Sequence, residues 1–126
     1  MPLDYRRDDA RRRIYVTATD PLVREDWIAT TTRQATEGTW SYGLLYDGTA
    51  RQEVSTPEDA LQLVQLVGKL TMTYGRRGPV AFVLCDPDLE RQGKRYAALG
   101  KLTALKVGLF RSIDDAEEWL TRETPL

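Results

Sequence analysis

The sequence predicts an α/β fold, a mostly parallel sheet of four or five strands with an N-terminal hairpin strand and four helices. Strand-like runs alternate with segments of helical periodicity along the chain. Repeated β-α-β units imply right-handed crossovers and a parallel sheet. The length of 126 residues and the 41% of apolar residues fit a single domain, 1–126. All parallel strands then end at one edge, where α/β proteins usually bind ligands.

The first predicted elements are a hairpin and a helix. Residues 3–7 form a short edge strand, and the β-branched and aromatic stretch 14–18 lies in the returning strand, 11–19. The first helix is expected to begin at Asp20 and Pro21, because a carboxylate caps free N–H groups and proline suits the first helical position. Gly38 ends it.

The middle of the chain contains the clearest pattern. Residues 42–46 are apolar on both faces, as in a sheet that is covered on both sides. After a polar loop, Thr56 and Pro57 open the second helix. Its inner face follows helical spacing, over Ala60, Leu63, Val64, Val67, Leu70 and Tyr74.

The last third repeats the same alternation. A strand over 80–85 is followed by Asp86 and Pro87, a second cap-and-proline pair, which opens the third helix. Residues 105–110 alternate as a half-covered strand. Ser112 caps the fourth helix.

The composition excludes several function classes. Without histidine there is no Ser-His-Asp triad, no imidazole base and no His-ligated metal. One cysteine excludes an internal disulfide, a thiolate zinc cage and a redox pair. A net charge of −1 disfavours a dedicated nucleic-acid binder. No apolar run spans a membrane and no signal-peptide core is visible, so a cytoplasmic protein without cofactor is expected.

Polar groups near the strand ends have structural explanations. Asp20, Asp47 and Asp86 are the candidates for a Mg²⁺-dependent enzyme, since hard cations prefer oxygen ligands. Helix capping by Asp20 and Asp86 and a turn at Asp47 explain the same residues, so no catalytic or metal-binding residue is assigned. Cys85 is expected to be a buried structural thiol.

A basic strip lies on the predicted hairpin. Aspartates interleave with it and partly cancel its charge. We expect a solvated charged edge that discourages strand-to-strand pairing. Its members are Arg6, Arg7, Arg11, Arg12 and Arg13.

The C-terminal half resembles the SpoIIAA-like group, which is related to STAS domains. The resemblance is carried by 78–84 (GPVAFVL), 106–110 (KVGLF) and 115–120 (DAEEWL). It implies a mixed sheet flanked by helices, without catalytic machinery or cofactor. STAS antagonists bind a partner protein and are switched by phosphorylation where the second helix begins. The matching place here is Ser55 and Thr56, although the Asp-Ser-Ser-Gly-like motif of that site is absent.

Two functional hypotheses follow from these observations. The first is a non-enzymatic STAS-like binding or regulatory domain that acts on a protein partner, or as a homodimer, through the surface around Ser55 and Thr56. The alternative is a carrier or sensor of a small apolar, lipid-like ligand. Its pocket would lie near the strand ends, bounded by Tyr46, Phe110 and Trp119.

Overall fold

A computed structural model describes residues 3–51, 56–103 and 105–124 of the chain. Five strands and four α-helices lie within these residues. A short 3₁₀ turn, Lys101–Thr103, precedes the last strand. The strands and helices are β1 (Leu3–Asp8), β2 (Arg13–Ala18), α1 (Arg24–Thr36), β3 (Gly43–Asp47), α2 (Pro57–Tyr74), β4 (Val80–Val83), α3 (Pro87–Gly100), β5 (Val107–Phe110) and α4 (Ile113–Glu123).

The sheet confirms the predicted fold class. Its strand order is β1-β2-β3-β4-β5. Strand β1 runs antiparallel to β2, and every other neighbouring pair is parallel. Because consecutive parallel strands are neighbours, right-handed crossovers place α1, α2 and α3 on one face of the sheet. Helix α4 follows the last strand and packs against β3, β4 and β5 from the other face.

Alternation along the strands separates two cores. In β4, Val80 and Phe82 face the core under α1–α3, while Ala81 and Val83 face the core under α4. Full burial of an aliphatic side chain stabilises the fold by about 1.5–3 kcal/mol. The buried part of the first core comprises Ile14, Val16, Ala35, Trp40, Leu44, Val64, Val67, Val80, Tyr96 and Leu105.

Three of the four predicted helix starts are confirmed. The side-chain oxygens of Thr56 and Ser112 each accept the N–H three residues later, both at 3.1 Å. The carboxylate of Asp86 accepts two N–H groups in the first turn of α3. These contacts satisfy donors that have no partner within the helix.

The predicted start of α1 at Asp20 is wrong. The helix begins at Arg24, and the N–H of Val23 donates to the carboxylate of Asp26 at 3.0 Å. The peptide bond between Asp20 and Pro21 is cis. The carboxylate of Asp20 is directed to the guanidinium of Arg51 instead of to a helix end. A buried guanidinium is a stronger partner for a carboxylate than free N–H groups at a solvated helix end.

The prediction that Cys85 is a buried thiol is also wrong. Strand β4 ends at Val83, and although the N–H of Leu84 still bonds to the carbonyl of Phe110 at 2.9 Å, the chain then turns outward. The side chain of Cys85 is exposed, with its Sγ 3.7 Å from the carbonyl oxygen of Arg111. The apolar run thus continues one residue past the strand and does not extend to the thiol.

One member of the basic strip is not solvated. Arg13 is 3% exposed, and its guanidinium donates to Glu117 at 3.0 Å and to Thr121 at 3.2 Å. The hydroxyl of Tyr15 donates to the same Glu117 carboxylate at 3.1 Å. These contacts attach α4 to β2. Arg13 can be buried because the carboxylate of Glu117 compensates its charge. Glu117 lies in α4, far along the chain from the hairpin, so the pattern of the hairpin sequence does not predict this contact.

Candidate ligand-binding cavity

A cavity of about 110 Å³ lies between the sheet and helices α1–α3. Its walls come from the last residues of β3 and β4 and from the first turns of α2 and α3. This is the edge at which parallel strands end, the usual ligand position in α/β folds. Its apolar walls include Leu22, Trp27, Ala60, Leu63, Leu84 and Leu89.

Three aromatic rings form part of the cavity wall, two from the sheet and one from α3. The register places Tyr46 of β3 beside Phe82 of β4, with ring centroids 5.2 Å apart and planes at 63°. Tyr96 of α3 meets Phe82 at 5.4 Å and 85°. Such edge-to-face pairs are favourable because a ring edge is positive and a ring face is negative. Phe82 is therefore the central ring of the three, in contact with both tyrosines.

An ion pair lies beside this wall. The Nε of Arg51 donates to Asp20 at 3.0 Å, and its Nη1 donates to the hydroxyl of Tyr46 at 3.4 Å. Burial lowers the pKa of Arg51, but Tyr46 and Asp20 outweigh it, so the pKa lies above its ordinary value. Burial raises the pKa of Tyr46. At neutral pH the site therefore holds a charged arginine and a neutral phenol.

A second ion pair connects the beginnings of α1 and α2 at the rim. Arg24 donates to the Asp59 carboxylate at 3.1 Å. The N–H of Asp59, a cavity-lining residue, donates to the Oγ of Thr56. Thr56 itself is exposed and does not line the cavity, but it contacts Asp59, which does. Ser55, the other predicted switch residue, lies outside the described residues.

Behind Tyr96 lies a buried arginine. Arg77 donates to the side-chain carbonyl of Gln34 at 2.8 Å, and its guanidinium lies 4.7 Å from the ring centroid of Trp40. Burial lowers the pKa of Arg77. Burial also raises the pKa of Tyr96, although the neighbouring guanidinium of Arg77 opposes that shift. The Tyr96 hydroxyl, in a residue that lines the cavity, therefore stays protonated at neutral pH.

The three predicted pocket residues do not come together. Tyr46 lines the cavity. Phe110 and Trp119 lie on the α4 face of the sheet, where their ring centroids are 5.5 Å apart. In the β4–β5 register Phe110 is opposite Val83, which faces α4. The alternation of β5 therefore points Phe110 away from the cavity.

Each of the three aspartates at the strand ends has a different partner. Asp47 accepts from the backbone and hydroxyl of Thr49 at 3.1 and 2.7 Å, Asp86 caps α3, and Asp20 pairs with Arg51. Within residues 3–51, 56–103 and 105–124 there is no group of three or more acidic or thiol side chains placed to hold a metal ion. No helix in those same ranges is long and apolar enough to cross a bilayer.

A second, polar groove of about 440 Å³ lies on the opposite face, between the hairpin and α4. The guanidinium of Arg6 lies 4.4 Å from the ring centroid of Tyr15, and Glu117 joins the helix to the strand. Among the charged groups that line this groove, Arg11 pairs with both Asp8 and Glu117. The polar contacts of the groove hold the hairpin against α4, and the groove offers little apolar surface to a ligand.

Of the three predicted pocket residues only Tyr46 lines the cavity, and two of the lining residues that sequence reasoning did not assign to it are Phe82 and Arg51. Phe82 lies two residues after Val80 in β4, so both side chains point to the same face of the sheet, the one covered by α1–α3. Arg51 follows β3 in a polar loop, and nothing in its local sequence distinguishes it from a solvated arginine. The alternation of side chains along β4 could have predicted the position of Phe82. The burial of Arg51 depends instead on Asp20, a residue of another loop.

Comparisons of this chain with protein-family models, with curated proteins and with solved structures found no match. The mostly parallel five-stranded sheet with four helices is consistent with the layout that the SpoIIAA-like resemblance implies. The family assignment itself stays a prediction. Functional inference for this chain therefore depends on the geometry of the cavity.

Proposed function

We propose that this chain is a non-catalytic binding domain that holds a small apolar molecule in the cavity under α1–α3. The observation that carries the proposal is an apolar cavity at the carboxyl edge of a parallel sheet. Ligands of α/β folds bind at that edge. A predominantly apolar lining with a few placed polar groups is typical of small-molecule sites.

The hydrophobic effect supplies the driving force for such binding. A buried water needs two to four polar partners, and the mostly apolar lining of this cavity offers few of them. Leu22, Leu63 and Leu89 instead offer dispersion contacts to an apolar ligand. Transfer of apolar surface from water contributes about 25 cal/mol per Å² buried. The cavity is therefore better suited to an apolar molecule than to water.

The polar groups of the cavity support binding rather than bond breaking. The raised pKa of Tyr46 keeps its hydroxyl protonated at neutral pH, so it does not act as a base. Asp59 is held by Arg24, and Arg51 is held by Asp20. These groups orient a ligand and close the site.

Thermal shift with a panel of apolar ligands, together with native mass spectrometry, tests this function. We expect the panel to raise the melting temperature of the wild type. Leu63→Trp fills the cavity and should abolish the shift, whereas Leu61→Trp, on an exposed position of the same helix, should preserve it. Circular dichroism checks that both variants fold. A wild type that responds to no ligand, or a Leu63→Trp variant that responds as wild type does, would contradict the proposal.

A protein partner at the beginning of α2 is a second candidate function. Val23 and Leu61 are half-exposed apolar side chains near the Arg24–Asp59 pair, and Thr56 is exposed beside them. A phosphate on Thr56 would suit the helix N-terminus but would add charge to this surface.

Pull-downs with Thr56→Ala and Thr56→Glu test this second function. We expect the glutamate to remove partners that the alanine keeps. Thr73→Glu, at the exposed far end of α2, is the control for added charge alone. Identical partner sets for the two Thr56 variants would rule out a switch at this residue.

A further inference from the structure

The size and the walls of the cavity indicate which class of apolar molecule it can hold. Resting on the proposed binding function, we propose that the cavity takes one uncharged aromatic ring, of the size of toluene or phenol, rather than an acyl chain. The carrying observation is a ring-sized volume together with Phe82, a wall residue that meets the rings of Tyr46 and Tyr96 edge to face.

The volume fits a single ring. The cavity measures about 110 Å³. An apolar cavity of about 150 Å³ in another protein holds benzene, so a ring fits here with small adjustments of the surrounding side chains. A lipid-like chain of a dozen or more methylenes requires a tunnel several times larger. The volume therefore favours a ring over the lipid-like ligand expected from the sequence, because most of such a chain would lie outside the cavity.

The walls favour an aromatic ring over a saturated one. Tyr46, Phe82 and Tyr96 already stand edge to face, and Trp27 lines the same cavity. A further ring among them can form the same kind of contact, since offset and edge-to-face geometries are the favoured ones. A cyclohexane ring fills the same space but has no π face or positive edge to contribute.

The charges of the cavity favour a neutral ligand. Arg51 is engaged by Asp20 at 3.0 Å, and Asp59 is engaged by Arg24 at 3.1 Å. A charged ligand would lose its hydration on entry and would have to compete with these pairs for compensation. A neutral ring leaves both pairs intact.

Toluene and methylcyclohexane form a matched pair of probes, because they have nearly the same shape. Their dissociation constants in water are measured by calorimetry and multiplied by their hexadecane-to-water partition coefficients, which refers both ligands to hexadecane. This correction removes the difference in hydrophobicity. We expect toluene to bind about 2- to 12-fold more tightly than methylcyclohexane after the correction, the ratio that one aromatic pair provides.

Two variants locate the effect. Phe82→Leu removes the central ring of the wall and should eliminate the corrected preference for toluene. Phe110→Leu makes the same change on the α4 face and should leave the preference unchanged. If Phe82→Leu does not fold, the comparison of the two ligands in the wild type decides alone.

The outcomes separate this inference from the proposed function. A corrected preference for toluene that Phe82→Leu removes supports a ring site. Equal or tighter corrected binding of methylcyclohexane, or tighter corrected binding of dodecane than of toluene, overturns the ring site and leaves apolar binding standing. Tighter binding of benzoate than of toluene overturns both the ring site and the apolar function. Failure of every probe to bind overturns both.

Discussion

Replacing Asp20 with serine tests the finding that this residue pairs with Arg51 and does not form the helix cap that its sequence context predicted. Serine caps a helix about as well as aspartate does. If Asp20 were a helix cap, Asp20→Ser would change stability little. In the structure its carboxylate instead forms an ion pair with Arg51, and serine cannot replace that charge.

The expected magnitude follows from the burial of the pair. Arg51 is 7% exposed and Asp20 is 23% exposed. Removing one partner of a fully buried pair costs about 3–5 kcal/mol, because the other charge stays buried without compensation. Water reaches part of Asp20, so we expect a loss of about 2 kcal/mol in the free energy of unfolding. For a domain of this size, that loss lowers the melting temperature by roughly 6–8 °C.

Asp86→Ser is the matched control. Asp86 also precedes a proline but caps α3 in the structure. Urea unfolding of both variants measures the difference, and we expect the Asp86→Ser loss to stay below about 0.5 kcal/mol. Equal losses for the two variants, or an Asp20→Ser variant as stable as wild type, would refute the assignment of Asp20 to Arg51.

Three further predictions concern other parts of the molecule. Glu117→Gln should lower the free energy of unfolding by about 1–3 kcal/mol, because Arg13 then keeps its buried charge without a carboxylate; wild-type stability in urea would contradict this. The exposed thiol of Cys85 should react with an aromatic disulfide reagent in the folded protein nearly as fast as in denaturant, and protection in the folded state would place it in the core. Burial raises the pKa of Tyr46, so the unfolded chain loses this proton first and stability falls as pH rises above about 10. Tyr46→Phe should make the decline of the unfolding free energy with pH shallower by at most one proton equivalent, as measured by unfolding at several alkaline pH values. A decline as steep as that of the wild type would mean that Tyr46 ionises as readily in the folded protein as in the unfolded chain.

Local signals predicted most of the fold because the relevant interactions are local. The caps at Thr56, Asp86 and Ser112 act on N–H groups two or three residues away. Strand alternation and helical spacing likewise depend on neighbouring residues. Repeated β-α-β order then determines handedness and strand order.

The cavity depends on contacts between distant residues, and the sequence predicted it only in part. Its position at the carboxyl edge and the role of Tyr46 follow from topology and strand parity. The burial of Arg51 depends on an aspartate 31 residues away. Phe110 and Trp119 lie away from the cavity because α4 covers the opposite face of the sheet, and the local sequence does not show which face α4 covers.

A crystal structure of the protein grown with bromobenzene tests the central claim most directly, because the anomalous signal of bromine locates the ligand without bias. We predict one bromine position inside the cavity, in contact with Phe82 and Leu63. Bromine found only on the surface or on the α4 face, with the cavity unoccupied, would contradict the assignment of this cavity as the binding site.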